Sequence, residues 1–495
     1  MDFIRNFPMF SVVLSLFSGV LCTMLRGKTA KIYTIVYECV LVAMLSSVLW
    51  YTVQAGTSFT YVLGEFPAPW GNELRAGTLE ASLALLFIAV MLCAVLAGQQ
   101  YVREDMDESK VNIYYAIVNL MTAALMAMTW TNDIFSGYVF LEILTLTSCG
   151  VLIVREIGRT TLAAVRYMIL NLVGSGMFLL GVVLLYDVTG NLLMVPMHNE
   201  IAVLYHDPAA RTVLIMATGI LTIGLSIKSG LFPFHYWMPD TYGWATPTSA
   251  ALLSSLVSKS YIFLLIKIYW RVIGIDIFTD MPIRNILFVL GLCGMVFGSV
   301  SAIRAENINR MVAFSSAAQI GYIYMGIGLG GTAGYTAAVF HIMAHAVTKS
   351  QLFLTTPRMA DVSGDSLRFK NLQGCALKDP NAGLFFLIPS LSMIGIPIFA
   401  GFSSKLFFAM AAADKGGIKL ILVMLTLAAS SLLNAMYFIR TLIRIYTPTQ
   451  DTEMRVRHGL DYNIPMIVLT LGNLAMGLFS WVFAQLIGQG LGMFM

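Results

Sequence analysis

Runs of roughly twenty apolar residues, the length that crosses about 30 Å of hydrocarbon, recur fourteen times along this chain. They lie at about 8–26, 32–53, 79–98, 111–131, 134–154, 162–186, 211–232, 248–270, 284–303, 311–330, 333–356, 383–412, 418–446 and 463–490. Apolar surface on that scale needs lipid to cover it. Only 11% of the residues are charged and the mean hydropathy is +0.80, whereas soluble domains carry about 25% charged residues. Lipid offers the backbone no hydrogen bonds, so each run must be helical. The expected fold class is all-α integral membrane, with about 14 transmembrane helices in a single membrane domain over 1–495. The connections around 54–78, 187–210 and 357–382 are too short to be soluble domains. The first run has the length of a signal peptide, but no small-residue cleavage site follows it. Arg26, Lys28 and Lys31 come after it, so it reads as the first span.

Basic residues in the connections predict the orientation. With the N-terminus outside, the inner connections hold eighteen Lys and Arg, among them Arg103, Arg155, Arg304, Arg368, Arg440, Arg455 and Arg457, and the outer ones hold seven. Both termini are then outside. Trp50, Tyr51, Trp130 and Trp270 stand at predicted helix ends, where aromatic belts form.

Two runs contain proline close to a lysine. LSIKSGLFPFHYWMPD places Lys228 five residues before Pro233, and IPSLSMIGIPIFAGFSSK places Pro389 and Pro397 ahead of Lys405. These are the seventh and twelfth spans, so they enter the membrane from opposite sides. Paired broken helices point to an inverted repeat with the site at the breaks, although proline also kinks ordinary membrane helices.

Five ionisable residues lie well inside predicted spans: Glu142, Lys228, Lys259, Lys349 and Lys405. Each costs on the order of 3 kcal/mol at a helix centre, roughly 15 kcal/mol together if unpaired. They must pair or line a wet cavity. Glu142 reads as the one carboxylate near a membrane centre, with a lysine as its partner; a static structural pair is the alternative. Lys228 sits beside a break, where water reaches it. A lysine held between desolvation and a carboxylate can load and release a proton. Lys259 is too far from either interface to snorkel, whereas Lys267 is close enough to do so. Glu38, Lys31 and Glu80 read as interfacial, and Asp133 as a residue at a loop tip.

In AAVFHIMAHAVTKSQLFL, His341, His345 and Lys349 recur every four residues. They share one face over about 12 Å of helix rise. Two histidines at that spacing can be a metal pair, but the third member is a cation and no carboxylate accompanies them. The stripe suits proton hopping through water; satisfied core histidines beside a functional Lys349 are the alternative. No metal site is expected. Cys22, Cys39, Cys93, Cys149, Cys293 and Cys375 show no CxxC spacing, so neither structural zinc nor an iron–sulfur cluster is supported, and no cofactor is expected in this chain. The formal charge of +4 comes without basic stretches alternating with aromatics, which argues against nucleic acid as a partner.

These segments resemble a known family: the antiporter-like membrane subunits shared by respiratory complex I, energy-converting hydrogenases and Mrp-type sodium/proton antiporters. The resemblance rests on KSGLFPFHYWMPD running through ATPTSAALLSSLVSK, on NINRMVAFSSAAQIGYIYMGIG, on HIMAHAVTKSQLFL and on GIPIFAGFSSK, in the family's order and spacing over about 111–446. It implies two inverted five-helix repeats with broken seventh and twelfth helices. Helices 1–3 would occupy 1–110, the first repeat 111–271, the second 284–446, and helix 14 would be 463–490. It also implies a charge pair of Glu142 and Lys228, a central relay at Lys259 continued by His341, His345 and Lys349, and a terminal group at Lys405. His235 and Asp240 match the family's segment after the break. Tyr242 stands where members often carry histidine, and Asn309–Arg310 where they carry Lys–Arg. The first departure removes one proton stop.

Two kinds of machine fit such a chain. The favoured one is a proton-translocating subunit of a larger bacterial or archaeal cell-membrane complex, coupled to a redox module of hydrogenase or complex I type. Electron transfer would then occur elsewhere, in a peripheral arm with iron–sulfur clusters. The other is an Mrp-type Na+/H+ antiporter subunit without redox chemistry. Both imply other antiporter-like and small membrane subunits as partners.

Overall fold

The structure is a computed structural model that describes residues 2–66, 71–449, 456 and 459–494. Arg455 and Arg457 lie outside the described residues. After a short 3-10 turn come α1 (Phe7–Met24) and α2 (Gly27–Ala55), a hairpin of β1 (Phe59–Val62) and β2 (Glu73–Ala76), then α3 (Thr78–Glu104), α4 (Val111–Trp130), α5 (Ile134–Ile153) and α6 (Gly158–Thr189). A short α7 (Met194–Leu204) leads to α8 (Pro208–Ser229) and α9 (Met238–Trp244). Next come α10 (Pro247–Leu252) and α11 (Ser258–Ile268), joined by a π-helical turn over Leu253–Val257, and α12 (Ile275–Asp280). The rest are α13 (Ile283–Arg304), α14 (Ile308–Leu329), α15 (Gly331–Asp361), α16 (Cys375–Lys378), α17 (Pro380–Ile394), α18 (Ala400–Lys415), α19 (Gly417–Tyr446), α20 (Leu460–Leu478) and α21 (Ser480–Gly492).

Each apolar run falls on one of these helices or on a broken pair. Among the described residues, eleven helices are long and apolar enough to span a membrane, and twelve if the bent pair α20–α21 is one span. The chain is thus a multi-span, all-α membrane protein. Helix α15 is long enough but too polar to count among these, since it carries His341, His345, Lys349 and Arg358, yet it is buried from Gly334 to Ala360 apart from one half-buried residue. A helix wrapped in other helices does not meet lipid, so it can carry polar side chains that a lipid-facing helix cannot. Every residue from Thr248 to Ile273 is likewise buried. Helices such as α1, α6 and α19 turn Phe17, Ile169 and Leu425 outward, the reverse of a water-soluble surface.

Both expected breaks are present. Helix α8 stops at Gly230 (φ 78°), and α17 stops at Gly395 (φ 96°) before α18 begins at Ala400. Positive φ suits glycine because a Cβ would clash with the backbone. Pro233 and Pro397 lie within the breaks, whereas Pro389 sits inside α17. Several expectations need correction. The last run, expected as one helix over 463–490, is two helices bent by 82°. Trp130 and Trp270 are buried at 0% and 5% exposure, so neither is a belt residue; Trp130 donates to Ser11 Oγ at 3.1 Å. The hairpin, α7 and α16 fall within the three long connections.

Candidate functional site

Helices α5, α6 and α8 meet around Lys228, in the last turn of α8. Its ammonium is buried and donates to Thr145 Oγ1 at 2.7 Å, with the Tyr261 ring 5.4 Å away. Thr145 lies one turn beyond Glu142 on α5. Glu142 is half-buried, lies near Tyr138 and acts on Lys228 electrostatically, but among the described residues it forms no ion pair. The two groups expected as a charge pair therefore share a site without touching. Thr145, which the sequence reading passed over, is the group that Lys228 contacts, one turn from Glu142 on α5.

The π-helical turn sets the position of Lys259. A π turn inserts an extra residue into the helix ladder and leaves a carbonyl free; Lys259 Nζ donates to the carbonyl of Ser254 and to Ser258 Oγ at 3.0 Å. Across from it on α15, Lys349 donates to the Val312 carbonyl at 3.0 Å and to Ser315 Oγ. Lys259, Lys349 and His345 lie within electrostatic reach of one another. His345 is 1% exposed with neither ring nitrogen hydrogen-bonded, and its ring centroid is 6.0 Å from that of His341. His341 is hydrogen-bonded through Nδ1 to Ser404 Oγ at 2.6 Å, stacks on Tyr322, and lies within reach of Lys405. Lys405 closes the second break, donating to the Ile394 carbonyl at 2.6 Å, the Met393 carbonyl at 3.3 Å and Ser431 Oγ at 2.9 Å. The unwound end of α17 supplies those carbonyls, as helix C-termini do. The structure thus brings together Lys259, Lys349, His345, His341 and Lys405, and it orders the stripe with His341 nearest Lys405.

The supporting residues sit after the first break. His235 is buried, stacked against Phe232 and Tyr236, with Nδ1 unpartnered. Tyr242 is buried and donates to the Leu253 carbonyl at 3.4 Å, at the start of the π turn. Asp240 is partly exposed and pairs with Arg166 at 3.0 Å and Arg310 at 3.3 Å.

Four groups stand deeper than their sequence positions suggest. Lys267 does not snorkel: it is 0% exposed and donates to the carbonyls of Thr129 at 2.9 Å and Thr131 at 2.5 Å. Glu80 is not interfacial but forms a fully buried ion pair with Arg271 and accepts the Gly77 N–H at 3.2 Å. Glu38 is likewise buried, with both carboxyl oxygens lacking a hydrogen-bond partner among the described residues, so Glu142 is not alone as a carboxylate within the bundle. Asp133, read as a loop tip, is 8% exposed and caps α5 by accepting the Ser136 N–H at 2.5 Å. Among the described residues no cluster of His, Cys, Asp or Glu has metal-binding geometry.

Residues 131–432 match the family model described as NADH:quinone oxidoreductase/Mrp antiporter, TM. NADH-quinone oxidoreductase subunit N of Desulforudis audaxviator (strain MP104C) is 31% identical over 446 residues, which cover 87% of this chain and 86% of that protein. The putative antiporter subunit mnhD2 of Staphylococcus aureus (strain JH9) is 27% identical over 400 residues, covering 80% and 78%. Among solved structures, a chain of the membrane-bound sulfane sulfur reductase, an archaeal respiratory membrane complex, superposes with a TM-score of 0.88 at 23% identity, covering 100% of this chain and 98% of that one. A chain of the Mrp complex from Dietzia sp. DQ12-45-1b also scores 0.88, at 22% identity, covering 99% and 97%. Respiratory complex I from Thermus thermophilus scores 0.82 at 18% identity, covering 98% of both chains. All three are multi-subunit membrane complexes. With more than half its length matched, the chain belongs to the NADH:quinone oxidoreductase/Mrp antiporter family of membrane subunits.

Proposed function

We propose that this chain is an antiporter-like, proton-translocating subunit of a multi-subunit complex in a bacterial or archaeal cell membrane, coupled to a redox module of complex I or hydrogenase type. The observation that carries this reading is the row Lys259, Lys349, His345, His341 and Lys405. These are five basic groups, four of them buried and Lys405 half-buried, that form no ion pair among the described residues. Unpaired ionisable groups at membrane depth are costly and mark ion paths. A row of bases without counter-charges holds a proton at one point only by repelling it from the next.

In this reading Glu142 and Lys228 receive the driving signal. Weakening their attraction releases the Lys228 proton toward Lys259, and the added charge there pushes a proton along Lys349, His345 and His341 to Lys405 and out. The topology we assign has fourteen spans in two inverted five-helix repeats, over 111–271 and 284–446, with both termini outside. Asp240, held by Arg166 and Arg310, lies at the inner end of the first repeat, with Tyr242 between it and the π turn and His235 ahead of it, next to the first break. Other antiporter-like and small membrane subunits would flank the chain, and a peripheral arm with iron–sulfur clusters would supply energy. Glu142→Gln or Lys228→Met in the assembled complex, reconstituted in vesicles with a pH-sensitive dye, should abolish translocation. Undiminished translocation in both variants would overturn the path.

The second reading, an Mrp-type Na+/H+ antiporter subunit without redox chemistry, is favoured by the likeness to the Staphylococcus aureus antiporter subunit. Mass spectrometry of the natively purified assembly, with a visible-range spectrum, separates the two. Clusters and a catalytic subunit select the redox pump, and their absence selects the antiporter.

A further inference from the structure

Where α13 turns into α14, four guanidinium groups surround one cavity of about 620 Å³. Arg159 comes from the first turn of α6, Arg304 from the last turn of α13, Arg310 from α14 and Arg368 from the loop after α15; Glu306 is the one acidic lining residue. Backbone pairing holds this convergence in place. The Ile308 N–H donates to the Leu367 carbonyl at 3.0 Å, the Phe369 N–H donates to the Glu306 carbonyl at 3.3 Å, and Asn307 and Arg368 form an antiparallel bridge. The loop is thereby sewn to the α13–α14 turn, with Arg368 at the rim. Arg159 lies over the Trp244 ring at 4.6 Å. Arg310 reaches Asp240, but its buried Nε has no partner. Among the described residues, Arg159, Arg304 and Arg368 form no ion pair.

Four like charges gathered with one acid are a site that an anion completes. Planar guanidinium forks match phosphate oxygens in pairs. The cavity is also more than a charged rim. Phe314, on its wall, lies six residues into α14, about 9 Å along the helix axis. Inorganic phosphate would use the rim alone, whereas a phosphodiester carrying glycerol and acyl chains uses both rim and aromatic wall. Basic pockets between spanning helices, at the membrane face rich in Lys and Arg, are where anionic headgroups are held.

We propose that this cavity is a headgroup site for an anionic phospholipid, with Arg304 and Arg368 gripping the phosphate and Arg159 and Arg310 closing around it. One consequence follows from Arg310. Headgroup and Asp240 compete for the same guanidinium, and Asp240 keeps Arg166 when Arg310 leaves. Lipid occupancy is therefore linked to the segment after the first break. That link bears on translocation only if the proton path above is right; the lipid site itself stands without it.

The test uses the whole purified complex, delipidated in detergent and then returned to phosphatidylcholine nanodiscs with or without phosphatidylglycerol. Native mass spectrometry counts the phospholipid retained. The R304Q/R368Q variant should lose one tightly held phosphatidylglycerol and bind it roughly 30-fold more weakly. R26Q/K28Q, which removes the same charge from the exposed α1–α2 turn, should keep it, and R304K/R368K should recover part of the affinity. Size-exclusion chromatography establishes that each variant assembles. Equal retention by R304Q/R368Q and wild type overturns the proposal, as does equal loss in R26Q/K28Q. Displacement of the lipid by an equal concentration of inorganic phosphate would make free phosphate the ligand and overturn it too, and so would a partner subunit's acidic side chain seated in the cavity.

Discussion

Lys228 donates to Thr145 at 2.7 Å, one turn along α5 from Glu142, and forms no ion pair with Glu142. A lysine in direct contact with a buried carboxylate would be hard to unload, since breaking such a pair costs about 3–5 kcal/mol. With the ammonium held by a hydroxyl and not by the carboxylate, the attraction can be weakened by a small shift of either helix. Thr145→Val removes the acceptor from a buried ammonium, at about 1–3 kcal/mol. Translocation by reconstituted complex should fall roughly tenfold, while Thr145→Ser retains most of it. Wild-type rates in Thr145→Val would show that the hydroxyl plays no part in coupling.

Lys259 and Lys267 lie on the same helix and are both fully buried, yet their surroundings assign them different tasks. Lys259 faces other bases, whereas Lys267 ties down the carbonyls of Thr129 and Thr131 at the end of α4. Lys259→Met should stop translocation in a complex that still assembles. Lys267→Met should lower stability by about 1–3 kcal/mol and leave the rate per folded complex near wild type. The same rate loss in both variants, measured well below their melting temperatures, would contradict this division.

The Glu80–Arg271 pair has no exposed side-chain surface on either partner. Removing one member leaves a buried charge uncompensated, at about 3–5 kcal/mol, while replacing both by apolar residues is close to neutral. Glu80→Gln should therefore lower the thermal midpoint of the solubilised chain sharply, and the double variant Glu80→Leu/Arg271→Leu should regain most of the loss. A double variant no better than the single one would point to a role for the pair beyond stability.

Helices α6 and α8 approach through two glycines. A Cβ on Gly224 would lie 2.5 Å from the Gly174 carbonyl oxygen and 2.7 Å from the Phe178 nitrogen, and one on Gly174 would lie 2.8 Å from the Gly224 oxygen and 3.2 Å from Lys228 Cγ. Gly224→Ala must part the helices. Overpacking of this kind costs about 1–3 kcal/mol, and it draws Lys228 away from Thr145. Both the denaturation midpoint and translocation should fall; a drop in stability without any change in rate would show that the position of Lys228 tolerates the shift.

Legibility followed hydropathy contrast. Lys259, Lys349 and Lys405 stood out because a charge inside an apolar run is conspicuous, and the two breaks were marked by glycine and proline. Glu38 was misplaced because α2 begins at Gly27 rather than near residue 32, which puts the carboxylate eleven residues inside the helix. Glu80 is only two residues into α3, and no pattern in the chain reveals that Arg271 comes to cover it. Thr145 has no hydropathy signature at all, since a threonine in a spanning helix usually bonds its own backbone.

The sequence by itself determined the membrane-spanning helical fold, the two breaks near Lys228 and Lys405, and the spacing that puts His341, His345 and Lys349 on one face. These follow from local rules: lipid demands closed backbone hydrogen bonding, and helix periodicity is fixed. Only the tertiary structure decided which charges meet. It set Lys228 on Thr145 and not on Glu142, turned the stripe toward Lys405, and sealed Glu80 against Arg271. Those outcomes depend on how helices distant in sequence pack, and the close approach of backbones at small residues decides that packing.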